Sequence, residues 1–258
     1  MTALSVNLNK IALLRNSREG GQPSVTEAAN RVIAAGAHGI TVHPRSDQRH
    51  IHPADVSELA QLLAQHPDIE FNIEGNPAAG PRDNGYPGFD ALIQSAQPHQ
   101  ATLVPDSDSQ LTSDHGWDLT GDNTELIETI ARYQRYGVRV SLFMDPDVEQ
   151  IAKAQACGAD RIELYTGPFA ATVSRHGPNH AKSRHALEIH KAAAVYANAI
   201  GLGVNAGHDL DTDNLPLFNQ IDGLLEVSIG HALIKDALVL GLAAAVVAYL
   251  HALQRNPS

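Results

Sequence analysis

The stretch "GAHGITVHP" (residues 36–44) decides the fold, because its plan returns in "YGVRVSLFMDP" (136–146), "CGADRIELYTGP" (157–168) and "IGLGVNAGHD" (200–209). Each phrase opens on a glycine that can end a helix in left-handed backbone. A short apolar strand follows, and the strand runs out into polar residues, often with proline or glycine. Stretches of helical period lie between these phrases. Ser24 to Ala35 opens with Ser24 and Glu27, spaced as a capping box. Pro53 stands where a first turn accepts proline, ahead of Val56, Leu59 and Leu63. Asp122 and Glu125 are placed to cap a helix reaching Tyr136, and Ile189, Ala193, Tyr196 and Ile200 share one face of another. Strands are expected at about 4–8, 39–43, 69–74, 100–104, 138–143, 160–164, 202–205 and 223–228. Strands that alternate with helices run parallel. Eight such units in about 250 residues predict an α/β chain folded as a (β/α)8 TIM barrel, a single domain over 1–258. A doubly wound open sheet is the alternative, but no GxGxxG follows the first strand.

Composition bounds the function. The 258 residues are 43% hydrophobic and 18% charged, enough for a large core. With 29 acids against 18 bases the net charge is −11, which argues against a nucleic-acid partner. A single cysteine, Cys157, excludes an intrachain disulfide and fits a cytoplasmic location. No apolar export segment opens the chain. The most apolar run, Ala237 to Leu250, is too short for the ~20 residues of a membrane span, so no membrane association is expected. It is expected as one helix buried on nearly every side, at a subunit interface.

Barrel active sites form at the C-terminal ends of the strands. The expected strand ends supply Asn7 and Asn9; His43 and Arg45, with Arg49 and His50 beyond; Glu74; Glu163; Asn205 and His208; and Ser228, Gly230 and His231. Asp145, just before Pro146, is expected as a helix N-cap. Glu163 fits a catalytic acid and a buried ion pair equally well. "GHD" (207–209) and "GHA" (230–232) follow strands 7 and 8, where barrels hold phosphate on backbone N–H groups and a helix N-terminus. Arg18, Arg45 and Arg49 point to a second anionic group. Two anion-binding ends with His43, Glu74 and His208 between them suggest two phosphorylated small-molecule substrates and proton transfer. The long loops at 75–88 and 105–121 are both expected on this face.

Taken in order, "VNLNKIALLRNSR" (6–18), "GITVHPRSDQRHI" (39–51), "FNIEGNP" (71–77), "LVPD" (103–106), "QLTSDHGWDL" (110–119), "VSLFMDPD" (140–147), "IELYTG" (162–167), "VNAGHDL" (204–210) and "IGHALI" (229–234) resemble the pyridoxine 5'-phosphate synthase family over nearly the whole chain. The resemblance implies a TIM barrel with extra helices, a homo-oligomer that is typically an octamer, and the ring-closing step of vitamin B6 synthesis. In that step 3-amino-2-oxopropyl phosphate condenses with 1-deoxy-D-xylulose 5-phosphate, with no metal and no organic cofactor. It implies acid–base roles for His43, Glu74 and His208, and transition-state stabilisation by Glu163. Asn7, Arg18, Asp209, Gly230 and His231 match contacts to the aminoketone phosphate. Asn9, Lys10, Arg45, His50 and Thr112 match contacts to the deoxyxylulose phosphate. The chain departs from familiar members in having Asn9–Lys10 for Asp–His, and Asp209 for Gly. The rival readings are a metal-dependent barrel enzyme using His43, Glu74 and His208 as ligands, and a phosphometabolite-binding protein without catalysis.

Overall fold

Most strands of the chain alternate polar with apolar residues, and the architecture follows from where the two sets go. In the computed structural model, which describes residues 2–254, the strands are β1 (Ala3–Asn7), β2 (Gly39–Val42), β3 (Glu70–Gly75), β4 (Gln100–Leu103), β5 (Arg139–Met144), β6 (Arg161–Tyr165), β7 (Gly203–Gly207) and β8 (Leu224–Ile229). They close in sequence order into one parallel barrel, with β8 returning to pair with β1. All eight expected strands are present, their ends shifted by one or two residues.

The apolar set (Leu4, Val6, Ile40, Val42, Ile73, Val140, Leu142, Ile162, Leu164, Val204 and Val227) is fully buried and faces the helices. Most of the polar set is hydrogen-bonded inside the barrel, with Ser141 Oγ, Glu163 Oε2 and Glu226 Oε1 left without a partner. Ser5 Oγ meets Thr41 Oγ1 at 2.7 Å, Thr102 Oγ1 donates to Asn72 Oδ1 at 3.1 Å, and Asn205 Nδ2 on β7 reaches Gln100 Oε1 on β4 at 3.4 Å. Pairing of this kind offsets the cost of burying polar groups.

The helices are α1 (Asn9–Asn16), α2 (Val25–Ala34), α3 (Pro53–Leu63), α4 (Phe89–Ala96), α5 (Thr124–Arg135), α6 (Val148–Ala156), α7 (Gly167–His176), α8 (Ala181–Ala199), α9 (Leu215–Phe218), α10 (His231–Leu240) and α11 (Leu242–Gln254). They exceed one per strand. α7 and α8 both lie between β6 and β7, and α10 and α11 both follow β8. Gly36, Gly137, Gly158 and Gly201, the glycines that open the four repeated phrases, take φ of 101°, 79°, 88° and 88°, as a helix stop requires. Ser24 Oγ accepts from the Glu27 N–H at 3.2 Å at the start of α2. Pro53 opens α3, with Asp55 accepting from the His52 N–H at 2.7 Å.

Several local expectations are corrected. Ala237 to Leu250 is not one helix, because Gly241, at φ 83°, separates α10 from α11. Nor is it buried on nearly every side: Leu238 and Val239 are 79% and 87% exposed. The buried face of α8 runs through Leu187, His190, Ala193, Ala194 and Ala197, leaving Ile189 and Tyr196 exposed. The N-cap of α6 is Asp147, which accepts from the Glu149 and Gln150 N–H groups; Asp145 accepts from the Gly116 N–H instead. At α5 the cap position is Asn123, and Asp122 holds the Thr124 N–H and hydroxyl. No helix among the described residues is long and apolar enough to cross a membrane. Of the expected 1–258 domain, residues 1 and 255–258 lie outside the described residues.

Candidate active site

The parallel barrel delivers its strand ends to one rim, and a cavity of about 400 Å³ opens there. Asn7, Asn9, Lys10, His43, Arg45, His50, Glu74, Thr112, Glu163, His208, Asp209, Gly230 and His231 all line it. Of the residues expected at the site, two stand apart: Asn205, buried inside the barrel where it bonds Gln100 and Arg161, and Arg18. Arg18 lines a separate surface depression with Arg15, Glu19, Gln48 and Asp55, between α1 and α3.

At the cavity floor, Glu74 ends β3 and accepts from Asn7 Nδ2 at 3.3 Å and Ser228 Oγ at 3.5 Å. His43 Nδ1 is 3.9 Å from Glu74 Oε2, and its Nε2 is 3.8 Å from Asp106 Oδ2. The distances would suit an ion pair, but burial opposes both charges. It pushes Glu74 up to about 8, with the Asp106 carboxylate adding to the effect. It pushes His43 down to about 3, with Arg45 and Arg49 adding to it. The pair is therefore a protonated carboxylic acid beside a neutral imidazole at neutral pH, a donor next to an acceptor. Asn9 fixes the ring's backbone by accepting from the His43 N–H at 2.8 Å.

Glu163, from the middle of β6, is 3% exposed, and its Oε2 has no hydrogen-bond partner. Burial and the neighbouring acids Glu74 and Glu226 hold it well above the usual carboxylate range. Among the described residues it makes no ion pair, so the salt-bridge alternative does not hold. Gly207 on β7 makes room for it, since a Cβ there would lie 2.2 Å from Glu163 Oε1.

The two glycine–histidine pairs differ. Gly230 is the N-cap of α10 and His231 its first residue, which turns a helix N-terminus toward the cavity. Gly207–His208–Asp209 instead leads into a turn before the four-residue α9, so the helix N-terminus expected there is missing. His208 and Asp209 take φ of 88° and 59°. Left-handed backbone at two successive non-glycine residues costs on the order of 1–3 kcal/mol each. Thr166 Oγ1 helps hold the turn by donating to the Gly207 carbonyl at 2.6 Å and to the His208 carbonyl; Asn214 Nδ2 donates to the Asp209 carbonyl at 3.1 Å.

Arg45 and Arg49 grip the loop that follows β4. Arg45 pairs with Asp106 at 2.7 Å and donates to the carbonyls of Ser107 and Gln110. Arg49 donates to the carbonyls of Asp108, Gln110 and Leu111. The loop then carries Thr112 to His208, Oγ1 to Nε2 at 2.9 Å. Asp106 was missed by sequence reasoning, although an acid at the end of β4 was open to the same rule that found Glu74. Phe143, at the end of β5, also lines the cavity and was missed because an apolar side chain at a strand end carries no chemical signal in the sequence. The chain's one His-x-His spacing, His50 and His52, is a pattern metal sites can use. The two rings serve different places: His50 lines the cavity, while His52 meets Asn16 beside α3.

Comparison with known proteins adds to this geometry. A family model described as "Pyridoxal phosphate biosynthesis protein PdxJ" matches residues 4–255. A pyridoxine 5'-phosphate synthase of Xanthomonas axonopodis pv. citri is 55% identical over 254 residues, covering 98% of this chain and 97% of the relative. One from Albidiferax ferrireducens is 52% identical, covering 100% and 99%. Among solved structures, 3-keto-L-gulonate-6-phosphate decarboxylase from Vibrio cholerae superposes with a TM-score of 0.63 at 10% identity, covering 100% of this chain and 99% of that one. Phosphoribosyl anthranilate isomerase from Thermus thermophilus superposes with a TM-score of 0.57 at 14% identity, covering 98% of each chain. These two likenesses are of fold alone.

Proposed function

The chain belongs to the family of the pyridoxal phosphate biosynthesis protein PdxJ and is an enzyme of pyridoxine biosynthesis, and from that premise we propose that its cavity condenses 3-amino-2-oxopropyl phosphate with 1-deoxy-D-xylulose 5-phosphate, releasing inorganic phosphate and water, by acid–base catalysis without metal or organic cofactor. The observation that carries this reading is the meeting of Glu74, His43 and His208 in one cavity beside the α10 N-terminus, with burial keeping Glu74 protonated and His43 neutral.

In this scheme the amine of one substrate attacks the ketone of the other. Glu74, as an acid, protonates the carbinolamine hydroxyl as it leaves as water, giving the imine. His43, as a base, takes a carbon-bound proton while phosphate departs, and His208 serves a later transfer during ring closure. Glu163, which burial holds well above the usual carboxylate range, would stabilise the transition state. Each positioned acid or base is worth about 10²–10⁴-fold. Gly230 and His231, with Asn7, would hold the aminoketone phosphate. Asn9, Lys10, Arg45, His50 and Thr112 would hold the other substrate. Its phosphate would compete with the loop carbonyls and Asp106 for Arg45, so binding and loop movement are linked. The Asp209 contact to phosphate is assigned to its backbone N–H. Arg18 belongs to this reading only if the segment carrying it moves or the residue acts elsewhere in an assembly. The scheme carries with it a cytoplasmic homo-oligomer, an octamer, and the exposed Leu238 and Val239 supply apolar surface for one.

The test is a single reaction. Purified protein with both substrates should release phosphate in step with a near-ultraviolet pyridine absorbance, unchanged by chelator. Phosphate release without a pyridine, or loss of both with chelator, would refute the scheme.

A further inference from the structure

His208 stands between two partners that face its two ring nitrogens. Nδ1 lies 2.9 Å from Asp209 Oδ2, and Nε2 lies 2.9 Å from Thr112 Oγ1. An ionised carboxylate can only accept, so the Nδ1 position carries the proton. In the neutral ring Nε2 is then an acceptor toward which the Thr112 hydroxyl donates. Tyr165 meets the ring edge-on, with centroids 5.3 Å apart and an interplanar angle of 78°. We propose that Asp209 is a positioning residue for the reaction, holding His208 in the Nδ1–H tautomer so that its Nε2 lone pair faces the cavity. This rests on the reading of His208 as a proton-transfer group.

Two features of residue 209 support the proposal. Its backbone is left-handed, a conformation glycine adopts without strain, so an aspartate there gains nothing from the backbone itself. Its carboxylate also stands at a cavity end lined by Lys10 and His231 and fitted to anions, where an acid opposes binding. Both become intelligible if the carboxylate serves the ring. When Nε2 takes a carbon-bound proton from the condensed substrate, the ring becomes an imidazolium whose Nδ1 proton remains shared with Asp209. Delivery of the Nε2 proton to a departing hydroxyl returns the ring to its starting form, and no other reactant is consumed. The arrangement is the carboxylate–imidazole–hydroxyl order of a catalytic triad, with the hydroxyl supplied by the loop after β4.

The test pairs ring ¹⁵N NMR of histidine-labelled protein with kinetics, using His208→Gln to assign the signal. The expected result is an Nδ1–H tautomer for His208, and a shift toward Nε2–H in Asp209→Asn and Asp209→Gly. In both variants kcat should fall about 10–10²-fold, less than for a fully buried triad carboxylate, with KM for each substrate held within about threefold. Asp209→Gly relieves the left-handed strain and Asp209→Asn keeps the side-chain bulk, so a fall shared by both is traced to the carboxylate. An unchanged tautomer in both variants overturns the proposal. So does a raised KM at unchanged kcat, which would make Asp209 a ground-state binding group. If the parent protein makes no pyridine, the tautomer still decides the positioning role, and the failure belongs to the synthase reading.

Discussion

The two ends of the barrel interior both bury acids, and they use them differently. At the N-terminal end Glu70 faces Arg139 at 2.5 Å, Arg139 also bonds Gln100, and Arg161 bonds Asn205. Glu226 lies among them, held well above the usual range by burial and by Glu70 and drawn back by Arg161 and Arg139. At the C-terminal end Glu74 and Glu163 share their space with a neutral histidine, and among the described residues neither pairs with an arginine or lysine. Arginines answer part of the charge at one end, where Arg139 pairs with Glu70, and none of it at the other. A buried pair resists change, whereas a buried acid that keeps its proton at neutral pH can give it away.

Substitutions at the two ends should therefore separate turnover from stability. Glu74→Gln should show the largest effect, a loss of about 10²–10⁴ in kcat with the melting temperature equal or higher, since a neutral amide replaces an acid whose ionised form burial opposes. Equal turnover in that variant would break the comparison. Arg139→Met should do the reverse. It should cost about 1–3 kcal/mol in denaturant unfolding, discounted from the full penalty for a buried pair because Arg139 is partly exposed, and leave kcat of the folded fraction near normal. Gly207→Ala should do both, because its Cβ must displace Glu163. The expected cost is about 1–3 kcal/mol, together with reduced kcat.

The smallest effects lie in pH dependence. Glu74 is raised from 4.5 to about 8, so the folded chain binds its proton more tightly than the unfolded chain. That stabilisation is complete below 4.5 and lost as pH rises through about 8. His43 is lowered from 6.5 to about 3, so its contribution is complete above 6.5 and lost as pH falls through about 3. Turnover should decline above about pH 8 as Glu74 loses its proton. In Glu74→Gln the alkaline loss of stability should shrink while the acid one remains, as thermal melts across pH would show.

Much of this was legible in the chain. Four glycines at the heads of repeated phrases located helix ends, and the strands followed. The polar interior was legible too, though it went unread. Strands buried on both faces normally read as continuous apolar runs, whereas "SVN", "FNIEG", "VSLF" and "IELY" alternate. The site residues at strand tips were found because the barrel brings all strand ends together, whatever their spacing in the chain. Residues that act through an irregular loop were not. Nothing periodic in 105–121 says that Arg45 and Arg49 hold its carbonyls, and nothing near Arg18 says that it faces another depression. Asp145 and Asp147 flank the same proline, and the sequence alone does not choose between them as the cap.

The grip of Arg49 on the loop after β4 is made through main-chain oxygens of Asp108, Gln110 and Leu111. A hold of that kind is blind to side-chain identity, so the path of the segment can persist while its exposed side chains at the cavity mouth are rewritten. Leu111, 90% exposed, is the natural place to exercise that freedom. A fluorophore attached there would ride on the segment, report its displacement in real time, and leave the arginine's attachment points chemically untouched.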